Sequence, residues 1–249
     1  MLFRVRSLLR TSSAPLAALV LCALLSAFLP ARSHADDGPA PELRFSVPSG
    51  FAELAPDSDL FGRSAAEAVA HGRLLRLFLP QDMERLYAEG KPHAVTRQVL
   101  ICGPEGEQAP LDRKSAELMA RSAEGMFIGF AQVPQRRDDS PEQKAAARAE
   151  ALRLSLEKGT SLLVDSLRTP SAYLHTCLIH FRMAEKPESL FLPMALASAL
   201  VPVKDTVLTV TVSSLLDGDD AERHLAWVKK TASDFADALA QSGRTRKKP

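Results

Sequence analysis

Thr206-Val207-Leu208-Thr209-Val210-Thr211-Val212-Ser213-Ser214 is the stretch on which the fold turns. Leu208, Val210 and Val212 alternate with Thr209, Thr211 and Ser213. Successive strand side chains point to opposite faces, so this is expected to be an antiparallel strand with one buried and one polar side. Beyond it, Leu225, Val228, Ala232, Phe235 and Leu239 recur at helical spacing. Asp219 is placed to cap that helix while Glu222 reaches back. Such a stripe must pack on something, and burial contributes roughly 1.5–3 kcal/mol for each large side chain. A sheet covered by a terminal helix is the expected result, and Ser242-Gly243 then release a short basic tail of Arg244, Arg246, Lys247 and Lys248.

Upstream, segments 161–168, 172–183 and 190–201 also have strand character, with hairpin-sized connections at 169–170, 184–188 and 202–205. Ser140-Pro141-Glu142-Gln143 combines a capping box with proline at the first helical position, predicting a helix to Lys158 that Gly159 ends. Before it, Asp112 caps an expected helix to Ala123, and 126–133 is an expected short strand. Further strands are expected at 44–47, 73–79 and 97–102, the first two stopped by Pro48 and Pro80 and the third ending at Gly103-Pro104. The class is α+β, with one domain over 44–241 after a flexible lead-in at 36–43.

The amino terminus has a different character. Arg4, Arg6 and Arg10 precede an apolar run from Leu16 to Leu29, and Ser33-His34-Ala35 offers small residues where a signal peptidase cuts. Residues 1–35 are expected to be a signal peptide, giving a periplasmic or secreted chain that starts at Asp36. The alternative is an uncleaved inner-membrane anchor, but fourteen residues at about 1.5 Å each reach roughly 21 Å, short of a bilayer core of about 30 Å. Leu21 before Cys22 does not suit lipid attachment.

Residues 1–35 hold four of the 31 basic residues and no acidic one, so the remainder carries 27 basic against 30 acidic side chains. That balance argues against nucleic acid, which requires a concentrated basic face. At 46% hydrophobic and 24% charged, the composition excludes multi-span membrane and disordered classes. Only the tail offers a membrane contact, through Arg244, Arg246, Lys247 and Lys248.

Chemical motifs are sparse. There is no glycine-rich phosphate loop, Gly-x-Ser-x-Gly elbow, His-Glu-x-x-His or Cys-x-x-Cys, and no asparagine at all. His175 and Cys177 share a face of one expected strand, while His180 points the other way. Two metal ligands there would need others from elsewhere, such as His71 or His93. The plainer reading makes His175 a hydrogen-bonded core histidine. In an oxidising compartment Cys102 and Cys177 are also disulfide candidates if their strands lie close enough. Asp217, Asp219 and Asp220 lack the ligand chain of a calcium loop and suit helix capping. Trp227 either edges the core or anchors a partner. No cofactor is expected.

Two features, the opening Phe45-Ser46-Val47-Pro48-Ser49-Gly50-Phe51 and the ending in which 206–214 leads through an acidic turn into the Trp227-bearing helix, resemble PsbP-like and bacterial DcrB-like proteins. The resemblance implies a central antiparallel sheet sandwiched by helices in exported or lumenal proteins that are mostly non-enzymatic. Photosynthetic members assist a membrane-bound complex. No catalytic or metal residue carries over onto this chain, and the helix at 141–158 departs from the common pattern. The expected function is an exported, non-catalytic accessory or binding module docking another envelope protein. The alternative is a metal-binding protein or enzyme built around His175 and Cys177.

Overall fold

The alternating stretch forms β8 (Thr206–Leu215) in a computed structural model. It describes residues 43–244 apart from 69–71, 92–94, 105–114, 116–117, 119–126, 128, 135–137, 184–189, 205 and 219. The other strands are β1 (Phe51–Glu53), β2 (Arg73–Pro80), β3 (Arg97–Gly103), β4 (Ala131–Gln132), β5 (Leu162–Arg168), β6 (Tyr173–Met183) and β7 (Leu190–Val203). All eight join one sheet in the order β1-β2-β3-β8-β7-β6-β5-β4. One meander, β1 to β3, builds outward to inward from one edge. A second runs from β5, beside β4 at the far edge, back to the centre, so β8 closes the sheet against β3. The sheet is mixed and not wholly antiparallel as expected, because β4 pairs with β5 in parallel.

The described helices are α1 (Asp59–Ala68), α2 (Gln81–Ala88), α3 (Pro141–Lys158) and α4 (Ala221–Arg244). The capping box of α3 forms as its sequence dictates: Gln143 N–H donates to Ser140 Oγ at 3.2 Å, and Ser140 N–H donates to Gln143 Oε1 at 2.7 Å. Gly159 ends the helix at φ 64°, a left-handed position that costs glycine nothing. The acidic start of α4 is capped by Asp220, whose Oδ1 accepts from Arg223 N–H at 2.9 Å; Asp219 lies outside the described residues. Glu222 pairs with Arg148 of α3, and its expected reach back to the Asp219 cap lies outside the described residues. The helix also continues through Ser242 and Gly243 to Arg244, past the expected start of the tail.

Leu225, Val228, Ala232, Phe235 and Leu239 of α4 are all buried, on the sheet face that carries Val99, Ile101, Ala197, Val210 and Val212. Leu152 of α3 joins the same cluster. Residues 44–47, expected as a strand, are not one. Phe45 instead meets Phe235 edge-on at 6.3 Å, and Phe51 meets it at 5.2 Å, so the Pro48 and Gly50 turn folds both aromatics over the helix. On the opposite face, Leu60 of α1 and Met83 of α2 pack with Leu77, Leu79, Leu100 and Cys102. Among the described residues of the expected strand at 126–133, Ala131–Gln132 are the ones in a strand. Ser115 and Leu118 are helical; the rest of the helix expected at 112–123 lies outside the described residues.

Candidate functional site

The polar side of β8 does not face water. β8 lies between β3 and β7, and Thr211 is 1% exposed. Register carries the polarity sideways: Thr211 stands opposite Ser198 of β7, Ser198 opposite His175 of β6, and His175 opposite Ser166 of β5. Directly paired residues share a face, so four adjacent strands contribute one lateral row of polar side chains. Ser198 is 1% and His175 3% exposed, while Ser166 at the outer end is open to solvent. Ser166 Oγ lies 2.9 Å from His175 Nδ1. Phe127 packs on the His175 ring with centroids 4.9 Å apart. Two residues back along β6, Tyr173 lies on the same face, its ring 5.3 Å from the Arg168 guanidinium carbon.

Cys177 is also on this face, as its spacing from His175 required, but it is packed among Phe127, Ile179, Met194 and Leu196. Burial, reinforced by the negative charge of Asp165, pushes its thiol well above the ordinary range. A thiol held protonated is a poor nucleophile and a poor metal ligand. Among the described residues no three His, Cys, Asp or Glu side chains converge as a metal site. The further ligands considered, His71 and His93, lie outside the described residues.

Cys102 and Cys177 are not bridged to each other, and both are buried. Cys102 is on β3 and Cys177 on β6, with β8 and β7 between them. Three strand spacings of about 4.8 Å separate them by about 14 Å, whereas a bridge needs Cα atoms within about 7 Å.

His180 faces the α4 side of the sheet, with Nε2 3.3 Å from Ser155 Oγ of α3. The Ser155 hydroxyl donates to Thr160 O at 2.5 Å, which leaves the histidine N–H as the donor to Ser155. Asp165 on this side accepts from Lys229 Nζ at 2.9 Å, tying β5 to α4.

Sequence reading passed over His224, which lies between Ser214 Oγ at 2.8 Å and Asp217 Oδ1 at 3.0 Å. The carboxylate can only accept, so Nε2–H donates to Asp217, and in the neutral ring Nδ1 accepts the Ser214 hydroxyl. The order Ser–His–Asp is that of a hydrolytic relay, but Ser214 is 0% exposed and no substrate carbonyl can reach it. Asp217 thus serves this contact and an ion pair with Arg223. A His three residues into an acidic-capped helix was the available signal; only the fold shows that it meets the end of β8.

Trp227 is half-buried at the margin of the α4 cluster, 6.3 Å from the Phe51 ring and 5.5 Å from the Arg97 guanidinium carbon. Arg97 also bonds Asp82 of α2 at 2.5 Å. No described helix is long and apolar enough to cross a membrane. Arg246, Lys247 and Lys248 of the basic tail lie outside the described residues.

No protein-family model matches the chain, and no curated protein is similar enough to it to suggest a role.

Proposed function

We propose that the chain is an exported, single-domain, non-catalytic accessory or binding module of the bacterial envelope, released after Ala35 and docking another periplasmic or membrane protein. The observation that carries this reading is the burial of Ser214: the one serine among the described residues backed by both a histidine and an aspartate is walled into the sheet. Chemistry on an external substrate needs a reachable nucleophile. The rival, a metal centre or enzyme around His175 and Cys177, meets the same obstacle, because Cys177 is packed among apolar side chains and held protonated. For the fold we propose the finer class of a PsbP-like α/β/α sandwich. Its support is the division of apolar helix residues, Phe235 and Leu152 with one sheet face, Leu60 and Met83 with the other.

Affinity capture from envelope extracts, with metal analysis of the same purified protein, tests the functional reading. Stoichiometric enrichment of one envelope protein by metal-free bait is the expected result. Stoichiometric zinc or copper that is lost on His175→Ala would overturn it in favour of the rival.

A further inference from the structure

Helix α3 is held to the sheet far more lightly than α4. Leu225, Val228, Ala232, Phe235 and Leu239 of α4 are sealed into the core, whereas of the 18 residues of α3 only Leu152 and Ser155 are buried. Residues 141–146 are exposed throughout, and Ala151 and Leu156 are only partly covered. The other ties are polar and partly wet. Arg148 pairs with Glu222 and lies 3.5 Å from Asp165, while Ser155 Oγ lies 3.3 Å from His180 Nε2. Partly exposed ion pairs contribute little, and few buried apolar contacts place an element at the low-stability end of a fold.

The helix does not depend on the sheet for its own form. A capping box, Pro141 and Gly159 close its ends, and Arg153 bridges Glu150 and Glu157 at 2.7 and 2.5 Å. Its 18 residues exceed the length of about 12–15 below which lone helices are marginal. Both connections are permissive. Gly159, at φ 64°, joins α3 to β5 through exposed Thr160. On the other side β4 is two exposed residues long, and the edge is held there by Ala131 N–H to Ser161 O at 3.0 Å and Val133 N–H to Leu163 O at 3.4 Å.

The closed position also carries a cost. Asp165 Oδ1 and Thr176 Oγ1 are buried without a hydrogen-bond partner among the described residues. The two residues are directly paired across β5 and β6, so they share the face on which Arg148 of α3 reaches Asp165. Unpaired buried polar atoms raise the energy of the state that buries them, and undocking α3 takes Arg148 away and admits water to that carboxylate.

We infer that α3 is a hinged cover, which opens about Gly159 away from Leu162 and Val164 of β5 while the rest of the sheet and α4 stay folded. Opening requires no partner, so failure of the docking role leaves it untouched.

Thiol labelling of purified Ser155→Cys protein, with each modified cysteine located by peptide mapping, tests it. The introduced thiol is expected to react at least about 100-fold faster than Cys177, which is reached only on global unfolding. Its rate should respond weakly to low urea and that of Cys177 steeply, because opening α3 exposes far less surface than unfolding. Adding Leu239→Ala, which weakens α4 and not α3, should speed Cys177 at least about ten-fold and leave the introduced thiol unchanged. Amide exchange of the wild-type protein guards against a probe that itself loosens α3: residues 152–156 should exchange at least about ten-fold faster than residues 228–235. Three results would overturn the inference: equal rates and urea slopes for the two thiols, an equal acceleration of both by Leu239→Ala, or equal exchange of the two helices in wild type.

Discussion

Ser214 Oγ of β8 lies 2.8 Å from His224 Nδ1 in the first turns of α4, so one imidazole fixes where the terminal helix leaves the sheet. His224→Ala would strand the buried Ser214 hydroxyl, and the expected loss is about 1–3 kcal/mol in urea unfolding. Asp217, on the other side of the ring, is largely exposed. Asp217→Asn should therefore cost less than about 1 kcal/mol. Equal losses for the two variants would mean that the Ser214 contact is not the main anchor.

Arg148 links α3 to α4. Its Nε and NH2 donate to the two Glu222 oxygens at 2.7 and 2.8 Å, and its NH1 lies 3.5 Å from Asp165 of β5. The hydrogen bonds it donates to Glu222 raise the guanidinium pKa. Both partners remain partly in solvent, so charge attraction is screened. A double-mutant cycle of Arg148→Gln and Glu222→Gln is expected to give a coupling below about 1 kcal/mol that fades between 0.1 and 1 M salt, as the Debye length falls from about 10 to 3 Å. A coupling unchanged by salt would require a drier pair than the one described.

The helix α3 was legible in the sequence to the residue because its signals are local: a capping box, a proline at its start and a glycine at its end. The strands β5 to β8 were legible from local signals too, β8 by its alternation and β5 to β7 as segments of strand character separated by hairpin-sized connections. Helices α1 and α2 were not. At 10 and 8 residues they are below the length at which helices persist alone, and Leu60 and Met83 packing on the sheet stabilises them. The row at Thr211 was half legible. Alternation marks Thr211 as polar-sided, but water-facing and buried polar faces read alike until strand order is known. Ser198 carried no signal by itself; register with Thr211 and His175 is what gives it meaning.

His180 gives the expected acid response. Burial holds its pKa below the ordinary 6.5, so on acidification the unfolded chain takes up this proton before the folded one does. Its contribution to stability is full above about pH 6.5 and is lost as pH falls from there through the lower folded value. Urea midpoints measured from pH 7.5 to 5 should fall less steeply for His180→Gln than for wild type. A wild-type midpoint that rises on acidification relative to the variant would reverse the assigned sign.

Cys102 and Cys177 offer a chemical check on the sheet order itself. Both are buried, on strands separated by two others, and burial pushes the Cys177 thiol up. Only the thiolate reacts, so protein lacking residues 1–35 should show almost no titratable thiol while folded and two in denaturant. Reductant should change neither number, nor the mobility of the denatured chain on a gel. If oxidised protein lacks both thiols in denaturant and regains them with reductant, β3 and β6 lie within bridging distance, and the order β3-β8-β7-β6 fails with the polar row built on it.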